Sequence, residues 1–319
     1  MPIGYRILPV AAFSQKNILT LNAVGETLTQ YNIVWRIQYQ NYRGSEIKIE
    51  GLENVRKFVN LLDNLETKMY GLKFFDLCIM KQLYFVIDEN KHNTVEGRQQ
   101  VIDLKFSLHT GPFEYQAEAN GRLGRDIWEE RHGIVVGSSI GTARKTEIYK
   151  QYEEHIKKTK LAMKKSQLQL NPSYISGLIE GDGCLCSFII RQNGFCIPRF
   201  QNAFSFTIEK EGVFLLDVIA YYFKDNRPYF YKQPNAISYT IRRPEIHQNL
   251  IDHFNHAPVF GSLPQIEMFK TIHGIKARKL DYAEAVKLAT MIYEKSSRNG
   301  RKKKSLEEVI EDFKKYFKA

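Results

Sequence analysis

The stretch ISGLIEGDGCLC, Ile175–Cys186, decides how the rest of this chain is interpreted. Gly177 and Gly181 are four residues apart, so they share one face of the helix that the apolar residues predict. The carboxylates Glu180 and Asp182 arrive where the apolar run stops. The stretch therefore predicts a helix that has one face free of large side chains and acidic residues at its end.

The composition is that of a folded, basic protein. The chain has 319 residues, of which 43% are apolar, enough for one large domain or two ordinary ones. Lys and Arg total 46 against 35 acidic residues, a net charge of +11. This excess favours a polyanionic partner such as nucleic acid, with a basic protein that has no such partner as the alternative.

Other classes of protein are disfavoured. No apolar run approaches the roughly 18 residues of a membrane span. The N-terminus shows no convincing signal-peptide pattern, so we expect a soluble protein that is not secreted and has no membrane partner. The four cysteines lack the paired spacing of a zinc site, and we interpret them as buried thiols.

Hydrophobic periodicity predicts strands and helices on both sides of a Gly-rich linker or long loop at 110–142. The predicted strands are residues 32–42, 45–50, 199–210 and a hairpin at 227–243. The predicted helices are residues 52–65, 74–88, 91–108, 212–224 and 245–254. The cationic helix at 143–168 is either a solvated connector or a bridge between two domains along a nucleic acid.

Two stretches repeat the same pattern. IEGLENVRKFVNLL begins at Ile49 and IRRPEIHQNLIDHF begins at Ile241, and their apolar positions coincide. Each follows an alternating strand and precedes an aromatic–glycine pair, Tyr70-Gly71 or Phe260-Gly261. This indicates an internal duplication of an α/β unit.

The two copies do not begin alike. The second copy opens with the glycine–carboxylate helix, and we expect the first copy to open in the same way. Within residues 1–31 the nearest match is LNAVGETL (21–28), which is a poor one.

The nonapeptide Ile175–Gly183 resembles the signature of the LAGLIDADG homing endonucleases and their intron-maturase relatives. The strand, helix and hairpin that follow it resemble the same family, and so does GLK…KHNTVEGRQQVIDLK in the first copy. The resemblance covers about 45–110 and 171–293. It implies an α+β fold in which an αββαββα unit is used twice, as a pseudo-dimer whose two saddle-shaped antiparallel sheets straddle a DNA duplex, with the first unit incomplete.

The resemblance divides the chain into four segments. Residues 1–113 are a degenerate first unit, and residues 114–170 are a linker with a basic helix. Residues 171–293 are a complete unit, and residues 294–319 are a basic tail with a C-terminal helix.

The resemblance also implies the roles of the site residues. Two signature helices pack closely through small residues, here Ser176, Gly177 and Gly181. Asp182 ligates Mg²⁺ beside the scissile phosphates, where paired carboxylates and the metal activate water. Lys73 and Glu209 are the further catalytic candidates. Lys73 keeps the family's glycine-plus-two lysine, whereas Gly261-Ser262-Leu263 lacks it.

DNA contacts are expected from the polar faces of the sheets. One strand is expected to project Arg199, Gln201, Ser205 and Thr207 together. The additional candidates are Arg191, Tyr229, Tyr231, Lys232, Tyr239 and Arg242.

We therefore predict an intron-encoded endonuclease that binds a double-stranded DNA site and cleaves it with Mg²⁺ in an organelle, the mitochondrion first and the chloroplast as the alternative. The alternative function is non-catalytic: a maturase that binds intron RNA and assists group I splicing, or a degenerate structural relative. One motif acid does not make a pair. The second comes either from another copy, through self-association of the 175–183 helix, or from a translated upstream extension.

Overall fold

The computed structural model describes residues 9–15, 17–40, 44–64, 69–107, 139–209, 212–234, 236–257, 259, 261, 263–275, 279–295 and 304–318. The chain forms two compact units, unit 1 (Met1–Gln169) and unit 2 (Leu170–Ala319). Each unit combines an antiparallel sheet with helices. Most of the linker predicted at 110–142 lies outside the described residues. Among the helices that are described, none is both long and apolar enough to cross a membrane.

Unit 1 contains a three-stranded antiparallel sheet in the order β1-β3-β2. Its elements are β1 Val10–Gln15, α1 Ile18–Gln30, β2 Arg36–Gln40, β3 Gly44–Glu50, α2 Leu52–Asn64, α3 Leu72–Asp88, a 3₁₀ turn at Lys91–Asn93, α4 Val95–Ser107 and α5 Ser139–Lys164. Alternation in β3 buries Ile47 and Ile49 completely, because these side chains face α1 and α2 while their neighbours point to the opposite face of the sheet.

The helix α5 belongs to the core of unit 1. Ile148 and Tyr152, one turn apart, are buried with Phe75 and Ile79 of α3. The prediction of either a solvated connector or a bridging helix overlooked this pair, because lysines dominate the surrounding sequence. Packing of a single apolar stripe is sufficient to fix a charged helix to its unit.

Unit 2 contains a four-stranded antiparallel sheet in the order β4-β5-β7-β6. Its elements are α6 Pro172–Asp182, β4 Gly183–Gln192, β5 Phe195–Glu209, α7 Val213–Tyr222, β6 Phe230–Lys232, β7 Ala236–Ile241, α8 Pro244–His256, α9 Leu263–Gly274, α10 Tyr282–Lys295 and α11 Leu306–Lys318.

The two faces of the unit 2 sheet differ in what covers them. Phe204 and Phe206 of β5 are fully buried on the face that packs against helices, and Phe200 joins them there. Successive strand residues point to opposite faces, so Gln201, Ser205 and Thr207 project from the other one. We call this second face, as formed by β4–β7 of unit 2, the open face.

The C-terminal helix α11 is part of unit 2. Its Phe313 is fully buried with Cys196 of β5. The carboxylate of Asp312 accepts a hydrogen bond from the backbone N–H of Cys196 at 2.8 Å and pairs with Lys304 at 2.6 Å. These contacts anchor to the sheet the C-terminal helix that was predicted within 294–319.

The sheets of the two units share one register. Ile49 and Ile241 are equivalent in the sequence repeat, and in both units the residue two positions before the isoleucine is buried and paired in the same way. The matched pairs are Ala11–Ile49 with Phe204–Ile241, Phe13–Ile47 with Phe206–Tyr239, and Ile37–Ile47 with Phe230–Tyr239. The strands β1, β3 and β2 therefore correspond to β5, β7 and β6.

This correspondence makes α1 the counterpart of α7, because α1 connects β1 to β2 and α7 connects β5 to β6. LNAVGETL is therefore not the counterpart of the glycine–carboxylate helix. Its Gly25 has a local reason: an added Cβ would lie 2.3 Å from the Trp35 ring. Within the part of unit 1 that the structure describes, α6 and β4 have no counterpart.

Candidate active site and nucleic-acid interface

The helix α6 delivers Asp182 to the start of the unit 2 sheet. The side chain of Asn171 caps the helix by accepting a hydrogen bond from the backbone N–H of Ser173 at 2.8 Å. The helix ends at Asp182, and Gly183 begins β4 directly. A Cβ at Gly183 would lie 2.6 Å from the carbonyl oxygen of Ile179, so only glycine fits this abrupt change from helix to strand.

The two faces of α6 have opposite surroundings. Ile175 and Ile179 are buried, at 0% and 2% exposure. Gly177 and Gly181 are exposed, and a Cβ built on either would meet no atom within 4 Å. The glycines therefore leave one face of α6 bare, and their role in packing against a second helix stays a prediction.

Ser176 does not share that bare face. It is 7% exposed, and its hydroxyl donates to the backbone carbonyl of Ala257 at 2.8 Å. Consecutive helical residues are about 100° apart, so the neighbour of a glycine on the bare face turns toward α8. Ser176 thus anchors α6 inside unit 2, which corrects its predicted grouping with the two glycines.

A buried histidine completes this anchor. The Ser176 hydroxyl donates its only hydrogen to the Ala257 carbonyl. In the 3.1 Å contact with His253, Oγ of Ser176 is therefore the acceptor and Nε2–H of the histidine is the donor. The Tyr222 hydroxyl then donates to Nδ1 at 2.8 Å. Burial, with a smaller contribution from His256, lowers the pKa of His253 to about 4, so the ring is neutral near pH 7.

The predicted catalytic residues are exposed. Asp182 ends α6, and Glu209 ends β5. Gly183 pairs with Phe206, so these two carboxylates lie at the same end of the unit 2 sheet. Lys73 is in the other unit, in the first turn of α3. Lys73 therefore belongs to unit 1, whereas the two carboxylates belong to unit 2.

The donor chemistry at Asp182 fits a hard divalent cation, although only in part. Mg²⁺ is commonly held by one or two carboxylates, with water and substrate phosphates completing the shell. Among the described residues no group of three or more His, Cys, Asp or Glu side chains is arranged to hold a metal. An exposed carboxylate would provide one ligand, and a complete site would need oxygen atoms from other groups.

The open face carries a band of small polar side chains. Gln201, Ser205 and Thr207 of β5 project from it, as predicted, and Arg199 is exposed at its margin. The band continues onto β7, because Ser238 pairs with Thr207 and their hydroxyl oxygens are 2.8 Å apart.

Sequence reasoning missed several open-face residues, including two on each of β7 and β4. These are Ser238 and Thr240 on β7, and Cys184 and Cys186 on β4. The signal was present in AISYTI, where Ile237, Tyr239 and Ile241 alternate with polar residues. The sulfurs of Cys184 and Cys186 are 3.3 Å apart. These two cysteines and Cys78 are only partly buried, so the prediction of buried thiols holds for Cys196 alone.

Tyr239 is not available for DNA contact. It is completely buried, and its hydroxyl donates to the Asp225 carboxylate at 2.9 Å. Burial raises its pKa above the usual tyrosine range. Asp225 also pairs with Arg243, so this tyrosine belongs to a buried polar cluster. The sequence did not define which hairpin residues pair. In β7, Ile237, Tyr239 and Ile241 all face the helices.

The other additional candidates divide between the two faces. Tyr229 and Tyr231 are 61% and 55% exposed, and Tyr231 pairs with Ser238 of the open face. Arg242 is exposed just beyond β7. Arg191 and Lys232 are exposed, but alternation places them on the helix-covered face, since they pair with Cys196 and Ile237, respectively. These two residues therefore do not project with the polar band.

Comparisons with known proteins match both the motif and the fold. Residues 175–273 match the family model described as LAGLIDADG endonuclease. A relative from Neurospora crassa, probable intron-encoded endonuclease 3, is 23% identical over 214 residues, which is 67% of this chain and 34% of the relative. The chain therefore spans about a third of the length of this curated relative.

Several solved structures are similar over nearly the whole chain. The meganuclease I-LtrWI bound to target DNA has a TM-score of 0.65 at 18% identity, over 91% of this chain and 86% of the other. I-AabMI bound to uncleaved DNA has a TM-score of 0.63 at 15% identity, over 89% and 87%. I-SmaMI bound to cleaved DNA has a TM-score of 0.66 at 14% identity, over 92% and 87%. The resemblance predicted from the sequence is confirmed: residues 175–273 match the LAGLIDADG endonuclease family model, and the chain has the fold of the LAGLIDADG meganucleases.

Proposed function

We propose that this protein is an intron-encoded homing endonuclease that binds a specific double-stranded DNA site and cleaves it with a divalent cation. The observation that carries the proposal is the position of Asp182. It is exposed at the end of a helix with a bare glycine face, and it leads directly into a sheet that has one polar open face. An acidic residue beside a nucleic-acid-binding surface supports metal-assisted phosphodiester hydrolysis.

DNA binding is assigned to the open face of unit 2. Its hydroxyl and amide groups offer hydrogen-bond donors and acceptors to base edges. Arg199 and Arg242 at the margin offer charge to phosphates, in a chain with a net charge of +11. Two of the solved structures with this fold are named as bound to uncleaved or target DNA, which supports the same partner here.

Mg²⁺ is the cation proposed, with Asp182 as its protein ligand. A hard cation prefers carboxylate oxygen. When bound, it would polarise the phosphate and assist the attack of water. Glu209 lies at the same end of the sheet, and we assign it a supporting role near the cleavage centre. Support for a metal also comes from I-SmaMI, which is described as bound to uncleaved DNA in the presence of calcium ions.

The second carboxylate of the pair is assigned to another copy of the chain. The bare face at Gly177 and Gly181 would let two α6 helices approach closely, because no side chain separates their backbones. A translated upstream extension is the alternative source, and reading the DNA upstream of the Met1 codon distinguishes the two.

The location proposed is an organelle, the mitochondrion first and the chloroplast as the alternative. Support comes from the relative named as a probable intron-encoded endonuclease in a fungus. Fractionation of host cells, with detection of the protein in purified organelles, tests this assignment. Recovery outside the organelles would contradict it.

The experiment that tests the function uses cloned alleles with and without the intron. We expect purified protein with Mg²⁺ to cleave the intron-less allele and to spare the allele in which the intron interrupts the site. Chelation of the metal should abolish cleavage while duplex binding persists. Binding without any cleavage, with or without upstream residues, would instead support the maturase or structural alternative.

A further inference from the structure

Unit 2 contains a cavity of about 1050 Å³ beside the sheet. Pairing between β5 and β7 stops at Phe204–Ile241, so the segment of β5 around Gln201 has no described strand on that side and forms one wall. The other walls come from the start of α8 and the ends of α9 and α11. Cavities that hold a small ligand are typically about 300–1000 Å³, so this space suits a small molecule or a single nucleotide.

The charge that lines the cavity has one sign. Arg199, Arg242 and Lys279 line it, and all three are exposed. No Asp or Glu is among the described lining residues. A cleft lined by charge of one sign concentrates ions of the opposite sign, so the cavity favours an anion.

Two aromatic side chains also line the cavity. Tyr316 and Phe317 at the end of α11 are 49% and 37% exposed, and their ring centroids are 5.5 Å apart. Exposed rings beside cationic groups are the combination that binds unpaired nucleotides, since bases stack on the rings while phosphates contact the cations. Phe317 also packs edge-on against Tyr282, with 5.9 Å between the ring centroids, so Tyr316 is the ring whose role the test addresses.

We propose that this cavity binds a nucleoside phosphate. Arg199, Arg242 and Lys279 contact the phosphate, and Tyr316 and Phe317 contact the base. The source is either an unpaired nucleotide of a nucleic-acid strand or a free mononucleotide. Asp182 does not line the cavity, so the proposal does not rest on DNA cleavage. Arg199 and Arg242 are also assigned to duplex phosphates, so the variants that test the cavity are made at Lys279 and Tyr316.

The test titrates the full-length protein with AMP and, separately, with inorganic phosphate, by isothermal titration calorimetry at low salt. We expect Lys279→Glu to weaken AMP binding at least about tenfold through charge reversal. Tyr316→Ala should weaken it at least about fivefold through lost stacking. The matched control is Lys287→Glu on α10, an exposed lysine outside the cavity, which should change AMP binding by less than about twofold.

Three results would overturn the proposal: no binding of AMP by the parent protein, unchanged binding in both variants, or inorganic phosphate binding as tightly as AMP. Melting curves identify any variant that fails to fold, and the other variant then decides. A single-stranded oligonucleotide that binds more tightly than AMP indicates a strand as the source, whereas equal affinity indicates a free mononucleotide. Tyr316→Ala changes no charge, so it should retain duplex binding and cleavage while AMP binding weakens. Failure of this inference is therefore separable from failure of the proposed function.

Discussion

The two units share a core register but differ in what their exposed sheet faces carry. In unit 1 the corresponding face holds opposite charges that neutralise one another, with Arg36 bidentate to Glu50 at 2.7 and 2.8 Å. In unit 2 the face holds hydroxyls, an amide and exposed tyrosines. Burial therefore preserves the inward residues of both copies, while the outward residues have diverged.

The second difference lies in two helices that each contain a glycine followed by an acid. Gly25-Glu26 in α1 and Gly181-Asp182 in α6 look alike in the sequence. Gly25 packs under the Trp35 ring, whereas Gly181 meets nothing within 4 Å. The glycine of the pair thus has an internal packing role in unit 1, whereas in unit 2 it leaves a bare helix face.

The largest expected effect concerns salt. Each phosphate contact releases counterions, so duplex affinity should fall roughly 10³- to 10⁵-fold between about 50 and about 200 mM salt for roughly 6–10 contacts. Arg199→Gln at the margin of the open face should reduce the slope by about one. Lys287→Gln on α10 is the control and should leave it unchanged. A flat affinity in filter-binding or anisotropy titrations would remove nucleic acid as the main partner.

His253 gives unit 2 a pH dependence. Its folded pKa, about 4, lies below the ordinary value of 6.5. At neutral pH the stabilisation is complete, and between pH 6.5 and pH 4 the unfolded chain binds a proton that the folded chain does not, so stability is lost as pH falls. We expect the free energy of unfolding to fall by at most about 3 kcal/mol when the pH reaches about 4.

Denaturant titrations at several pH values measure this slope. His253→Gln should flatten it, because the variant has no group to protonate there. His256→Gln should keep most of it, since burial is the larger cause of the shift. A slope that survives in His253→Gln would assign the titration to another group.

Gly25→Ala tests the packing role in unit 1. The new Cβ would lie 2.3 Å from the Trp35 ring, so the ring or the helix must move. We expect a loss of about 1–3 kcal/mol in the free energy of unfolding. An unchanged or higher melting temperature would show that Trp35 does not pack on this glycine.

Gly181 gives the smallest effect on folding and a separate effect on assembly. Gly181→Ala should stabilise the monomer by up to about 1 kcal/mol, because a helical glycine is replaced where there is space. Gly181→Leu should abolish self-association measured by sedimentation, while Gly181→Ala weakens it less. Identical oligomeric states in the parent and Gly181→Leu would mean that this face packs against no second copy.

Sequence periodicity predicted the elements whose apolar stripes are continuous. The strand at 199–210 and the helix at 212–224 correspond closely to β5 and α7. Residues 1–31 gave no period, yet they contain β1 and α1. One of the three buried positions of α1 is Gly25, which weakens the apolar pattern, and only one residue of β1 is buried.

Site prediction was limited by register. The pattern of β5 identified Gln201, Ser205 and Thr207 correctly as neighbours on one face. In the short hairpin the turn did not define which residues pair, so Tyr239 was placed on the wrong face and Ser238 was missed. Ser176 was predicted to lie on the glycine face of α6, although consecutive residues of a helix point in directions about 100° apart.

The central claim is that unit 2 alone presents the motif acid. DNA cleavage by the variant Asp182→Asn, with Glu26→Gln as the matched control, tests this claim most directly. The amide keeps the shape of the side chain but removes the charge that holds a hard cation. We expect the single-turnover rate on the intron-less allele to fall at least about 100-fold. Duplex binding should persist or tighten, since one charge that repels phosphate is gone. Glu26→Gln should cleave like the parent. Full activity in Asp182→Asn, or loss of activity in Glu26→Gln with folding intact, would contradict the account.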